Sequence, residues 1–419
     1  SSVRPGADIV YHAAGRELEY DVVLRPGAAP VRFRFDGASR VRTNESGELV
    51  IDTADGELLS RAPVAWQDLP AGRKPVKCRY DVARSGEVSF VLGQHDPAHA
   101  VTIDPVLSYS TFLGSSSEDR VAGIAVDSMG SVYITGYAYS TDFPMTNGAR
   151  GGYYDVFVTK LSPNGNSIVY STIFGGSSED RGAAIAVDSG GNAWVTGLTG
   201  SSNLPVTIGP GATSQDAYVA KITPAGTIGL LKVFGGTGSD WGSGIAIDLS
   251  GNLFITGGTD GSSFPVTAGA YRTTPLGTWD VFVAKLTSQG AILAATYLGG
   301  NSSDTSAGIA INRVTGDVAV AGQTSSTAFP VTSGAIQAVW GGSTDAFFSV
   351  FNNNLSALSY STFLGGSSED NGTAIATDSA GNYYVTGSTA SSNFPISAGA
   401  FKVNKGYSTD GFVTKIASN

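Results

Sequence analysis

The stretch from Tyr360 to Pro395, YSTFLGGSSEDNGTAIATDSAGNYYVTGSTASSNFP, recurs along the chain, and this recurrence narrows the possible folds more than any other feature. Related versions start at Tyr109, Tyr170, Leu231 and Ala295, and the acid closing the GGSSED segment falls at Asp119, Asp180, Asp240, Asp304 and Asp370. The intervals are 61, 60, 64 and 66 residues. A period of this size, filled with short apolar runs and glycine turns, belongs to radial or solenoid repeats, in which each unit buries its faces against its neighbours.

Each copy reads as a set of strands. In the first these are AGIAVD (122–127), SVYITGYA (131–138), DVFVTKLS (155–162) and SIVYSTIFG (167–175), with Gly/Asn-rich hairpin signals at Ser128–Gly130 and at 163–166. Four antiparallel strands per period predict a propeller blade. Only 14% of residues are charged and 56 of 419 are glycine, with no helical periodicity of useful length, so the expected class is all-β. The last copy stops at FVTKIASN (412–419), after its third strand, whereas an extra outer strand, LSYSTFLG (107–114), precedes the first copy. The economical arrangement is a closed five-bladed β-propeller with blades at about 121–175, 183–235, 243–299, 307–364 and 373–417. In it, 107–114 seals the last blade beside 410–416 and hides two strand edges. Residues 1–106 lack the repeat. Their runs ELEYDVVL, VRFRF, GELVIDT and EVSFVLG, cut by turn clusters, suggest a preceding β-sandwich-like domain.

The formal net charge is −10, and residues 109–419 carry most of it. Nucleic acid and anionic membrane both need a basic footprint, so neither is expected as a partner. A lone cysteine, Cys78, excludes an internal disulfide and a cysteine-based metal site, and no run of 18 apolar residues offers a membrane span. The opening SSVRPGADIV has no signal-peptide pattern; a leader upstream of it would fit a secreted or cell-surface protein, monomeric or part of a longer chain.

The signature YSTFLGGSSED…AIAVD..GN.YVTG..SS.FP…DAFV.KL resembles the bacterial SBBP repeats, a family named for seven-bladed propellers, over residues 107–417. Residues 8–105, with DIVYHAAGRELEYDVVLRPGA and the closing VTIDP, resemble the domain of unknown function that often precedes such repeats. The resemblance implies a secreted or surface protein of a bacterium and carries no catalytic residues onto this chain. The count of five departs from the family's name.

In a propeller the loops from outer strand to next inner strand share a face with those from second to third strand, and binding usually lives on such loops. The acids Asp119, Asp180, Asp240, Asp304 and Asp370 ring that face. They are candidates for ligand contact or, with carbonyls and waters, for Ca²⁺. The competing reading is that each accepts hydrogen bonds from its own Gly/Ser-rich loop. No cofactor is otherwise implied. Blade-specific aromatics, Tyr154, Trp241, Trp279, Trp340 and Tyr407, stand beside those acids, as on surfaces that stack sugars or anchor proteins. The expected function is a non-catalytic binding, adhesion or structural module whose top face contacts glycan or protein. Alternatives are a polysaccharide hydrolase or lyase using top-face carboxylates, and a purely structural spacer. The turn acids Asp127, Asp188, Asp248 and Asp378 read as Asx turns, and the strand lysines Lys160, Lys221, Lys285 and Lys415 as snorkelling side chains.

Overall fold

The computed structural model describes every residue except 1, 5–6, 15–16, 29–30, 36–37, 54–55, 71, 84, 105–110, 164, 166, 206–213 and 418–419. The described residues contain strands and turns and no helix. They divide into two compact units, 1–110 and 111–419.

In the first unit a six-stranded sheet runs in the spatial order Ser2–Arg4, Ala7–Ala14, Glu17–Leu24, Val101–Asp104, Val64–Leu69, Gly72–Val76. Its Val22, Ala65, Val76, Val101 and Ile103 pack with Phe33, Phe90 and Leu92 of a three-stranded sheet (Cys78–Val82, Val88–Leu92, Arg32–Phe33). A hairpin-built third sheet, Arg40–Thr43, Leu49–Thr53 and Gly56–Ser60, adds Leu49 and Ile51 to a smaller core around Val88.

The second unit is a succession of five antiparallel sheets. Sheet one comprises Asp119–Val126, Val132–Ala138, Asp155–Leu161 and Ile168–Phe174, with Asn147–Gly148 added parallel to the last. Sheet two comprises Asp180–Val187, Ala193–Thr199, Asp216–Ile222 and Ile228–Phe234. Sheet three comprises Asp240–Ile247, Leu253–Thr259, Asp280–Leu286 and Ile292–Leu298. Sheet four comprises Asp304–Ile311, Val318–Thr324, Asp345–Phe351 and Leu358–Leu364. Sheet five has three described strands, Asp370–Thr377, Tyr383–Thr389 and Asp410–Ile416. The meander order follows from the hairpin turns. In the second sheet Asp188 accepts bonds from the amides of Gly190 and Asn192 (both 2.9 Å), and Gly191 supplies the left-handed residue at φ +74.

Successive sheets share cores. Tyr133, Val156 and Val158 of sheet one meet Ile185 and Tyr218 of sheet two. Trp194 and Val219 then meet Ile245 and Phe282, Phe254 and Val283 meet Ile309 and Phe347, and Phe348 meets Ile375 and Phe412. A backbone staple accompanies each junction: the amides of Asp180, Asp240, Asp304 and Asp370 donate to the carbonyls of Tyr154, Gln215, Trp279 and Thr344 at 2.7–2.9 Å.

The outer faces of the first and last sheets are exposed among the described residues. Ile124 of sheet one is 67% exposed, whereas its counterparts Ile185, Ile245 and Ile309 are 8–9% exposed. Val413 of sheet five is 76% exposed, whereas Val158, Val219, Val283 and Phe348 are fully buried. The strand-to-strand contacts that recur from sheet one to sheet five do not recur between five and one among the described residues. The expected seal by 107–114 falls partly on residues 107–110, outside the described residues. The remainder, 111–114, forms no strand: Phe112 is exposed and Leu113 packs on sheet one, against the cluster of Ala138, Phe143 and Phe157.

Candidate functional site

The five repeat acids begin the first strand of each sheet, and four of them, Asp180, Asp240, Asp304 and Asp370, are fully buried. They do not ring an exposed face. Each turns its Oδ2 into its own Gly-rich loop, accepting the amides of Gly176, Gly236, Gly300 and Gly366 at 2.7–2.8 Å. Hydroxyls of Ser201, Ser326 and Ser391 add bonds to Asp180, Asp304 and Asp370 at 2.7–2.9 Å. Asp119 repeats the pattern with Ser115 and Ser140 but is only half-buried. This is the loop-pinning role, and it takes these carboxylates out of reach of a surface ligand.

A second buried acid meets each of them across the junction. Asp155, Asp216, Asp280 and Asp345 open the third strands of sheets one to four. A methyl group placed on Gly299 would lie 2.0 Å from Asp280 Oδ1 and 2.9 Å from Asp304 Oδ2, so the two carboxylates converge where that glycine has no side chain. Gly175 and Gly235 sit in the same way between Asp155 and Asp180 and between Asp216 and Asp240. Burial pushes the Asp304 and Asp345 carboxyls up to about 6, and the partner acids Asp280 and Asp370 add to it, over the opposing hydrogen bonds. Asp180 and Asp240 are raised by the same causes. The arrangement favours holding a proton. No group of three or more His, Cys, Asp or Glu converges among the described residues.

The strand lysines sit on the aromatic directly across from them: Lys160 over Tyr133, Lys221 over Trp194, Lys285 over Phe254 and Lys415 over Tyr384, at 4.7–5.3 Å. Lys160 also pairs with the turn acid Asp127 at 3.3 Å. In Asp188, burial raises the carboxyl, but the Trp194 indole and the Asn192 amides outweigh it and hold the group below the ordinary range.

The predicted aromatics separate into groups. Trp241 and Trp279 come together in sheet three, ring centroids 4.7 Å apart and 53° between planes, both half-exposed. Their meeting rests on a residue the sequence reading passed over. Trp241 pairs in register with Gly258, where a methyl group would lie 2.4 Å from the indole. Other sheets carry Tyr137, Leu198, Gln323 or Ser388 at that place, so the joint departure of Trp241 and Gly258 from the repeat was the available signal. Tyr154 joins Tyr137, Tyr139 and Tyr153 at centroid separations of 5.0–5.5 Å, and the Arg181 guanidinium lies 4.6 Å over Tyr137 and 5.1 Å over Tyr154. Tyr139 and Tyr153 are exposed. Trp340 is half-buried against the core between sheets three and four and belongs to neither cluster. Tyr407 stands fully exposed on the loop before the last strand.

Two family models match. A domain of unknown function (DUF7948) covers residues 1–106, and the SBBP beta-propeller repeat matches residues 109–144, 169–205, 232–265 and 360–395. No curated protein matches. Among solved structures, a puromycin hydrolase is 14% identical with a TM-score of 0.38, over 90% of this chain and 50% of that one. A gluconolactonase from Xanthomonas campestris, XC5397, is 13% identical with a TM-score of 0.33, over 87% of this chain and 96% of that one. The Pan2 WD40 domain of Neurospora crassa is 13% identical with a TM-score of 0.32, over 83% and 85%. This chain therefore spans half the length of the hydrolase. On its repeats and its leading domain, it is an SBBP beta-propeller repeat protein with an N-terminal DUF7948 domain.

Proposed function

We propose that the repeat array is a non-catalytic binding scaffold acting outside the cell, whose loop aromatics contact glycan or a protein surface. The observation that carries this reading is the Trp241–Trp279 pair, half-exposed and made possible by Gly258. Two indoles held at an angle by a rigid sheet offer apolar faces at little entropic cost, and such faces stack on sugar C–H groups or fill a partner's pocket. The tyrosine group around Tyr153 and Tyr154 provides a second platform of the same kind. The buried junction acids have no part in it. An extracellular setting is supported by the family resemblance alone.

The test is a glycan array and a pull-down with the wild-type chain, repeated with Trp279→Ala and Trp241→Ala after circular dichroism confirms the fold. Binding should weaken at least about tenfold in either variant, the usual loss for an aromatic anchor. Binders retained at full strength by both variants, or no binder at all, would sink the proposal.

A further inference from the structure

We propose that a cleft between sheets three and four, at the end of sheet three away from Trp241, binds a small oxyanion: a carboxylate, sulfate or phosphate, free or carried on a sugar.

Two hairpin turns make the walls of this cleft. One, Asp248–Asn252, joins the first two strands of sheet three, and the other, Asn312–Asp317, joins those of sheet four. The space between them is about 220 Å³, lined also by Lys285 from the third strand of sheet three and Asn353 from the third-to-fourth turn of sheet four. Clefts for drug-sized ligands run to roughly 300–1,000 Å³, so this one suits a smaller group.

Its charges are not balanced. Elsewhere in the array Lys160 and Lys415 face the turn acids of their own sheets, Asp127 and Asp378, at 3.3 and 3.9 Å. Lys285 instead donates to the Asn353 carbonyl at 3.4 Å and to Asn353 Oδ1, and no carboxylate among the described residues pairs with it. The acid lining the cleft is Asp248, and its oxygens are turned into its own hairpin. Oδ1 accepts the amides of Ser250 and Asn252, and Oδ2 accepts Asn252 Nδ2, all at 2.8 Å. Arg313 lines the cleft, is exposed, and has no hydrogen bond or ion pair with a described residue. In a chain of net charge −10, this is a local excess of positive charge. A guanidinium fork beside an ammonium is the arrangement that binds an oxyanion by charge-assisted hydrogen bonds.

Both cleft-forming turns of sheet four depart from the repeat. Where Arg313 stands, the other sheets carry Ser128, Ser189, Leu249 and Ser379. Asn312 replaces the turn aspartate and so removes a carboxylate, yet it still fixes the turn. It is buried, its Oδ1 accepts the amides of Val314 and Thr315 at 2.9 and 3.2 Å, and its Nδ2 reaches the Gly381 carbonyl at 3.0 Å. Asn353 stands where sheets one to three carry Pro163, Pro224 and Ser288. Its Nδ2 donates to the Gly316 carbonyl at 2.8 Å, which leaves Oδ1 to receive Lys285. One departure supplies a cation and the other orients a second, and the two meet in the same cleft.

Isothermal titration calorimetry of the full chain tests this, with sodium sulfate, sodium phosphate and sodium glucuronate as probes and sodium chloride at matched ionic strength as the reference. Saturable binding of one oxyanion per chain is expected. Arg313→Gln and Lys285→Met should each weaken it by about tenfold or more, the loss of a hydrogen bond to a charged group, with unchanged circular dichroism. Tighter binding of glucuronate would assign the site to a sugar-borne carboxylate, and tighter binding of sulfate or phosphate to the inorganic ion; either supports the site. Trp279→Ala should leave the binding unchanged, so this test is separate from that of the aromatic platform. The proposal fails if no probe binds, if sodium chloride reproduces the heat, or if Arg313→Gln binds as tightly as the wild type.

Discussion

At the residue scale, the junction glycines matter more than the acids that drew notice first. Gly299 has a carboxylate oxygen of Asp280 where a side chain would begin, and Asp304 close behind. Alanine there has no room, since both acids are buried and held by backbone amides. Gly299→Ala should cost about 2–4 kcal/mol, the range of overpacking and broken buried networks. Gly269→Ala, in a turn with φ +80 and open space, should cost only about 1–2 kcal/mol of left-handed backbone strain. Urea unfolding of the two variants checks the difference, and equal losses would show that the carboxylates yield. The turn acids were legible in the sequence because an Asx turn is local: Asp188, Gly191 and Asn192 contain their own partners. For Asp180 and Asp304 the bonds to their own loop were legible as well, but their burial was not, because it is imposed by the preceding sheet. The glycine before each acid hinted at it, as the one residue type that admits a carboxylate against its Cα.

At the scale of the element, each junction couples a first strand to the preceding third strand through a buried carboxylate pair, and this gives the fold a pH signature. Asp304 and Asp345, raised from 3.8 to about 6, bind protons more tightly folded than unfolded. Their contribution is fully present below 3.8 and is lost as pH rises through about 6. Asp127 and Asp188, held below the ordinary value by turn amides and neighbouring side chains, act oppositely and lose their contribution only below 3.8. Thermal unfolding should therefore show a higher Tm at pH 5 than at pH 8, with a decline in strong acid. The Asp304→Asn, Asp345→Asn double variant should flatten the difference between pH 5 and pH 8. A wild-type Tm that climbs from pH 5 to pH 8 would refute the assignment. The lysines illustrate a similar limit of sequence reading. The sequence marks them as snorkelling side chains, but the aromatic and turn-acid partners of Lys160 depend on register between strands.

For the whole molecule, repetition made the sheets readable and left their assembly unreadable. Period, hairpin turns and alternating apolar residues specify a four-stranded antiparallel sheet, because those signals are local. Whether a series of such sheets closes depends on small rotations accumulated at each junction, which no residue type encodes alone. Stability in such an array is a sum over units and their interfaces, so end sheets with one interface should open before interior sheets with two. Amide hydrogen exchange measures this directly. The difference in burial predicts lasting protection of 216–222 and 280–286, while 119–126 and 410–416 exchange faster. Protection of the end strands equal to that of the interior would contradict it, and would mean that a further interface covers them.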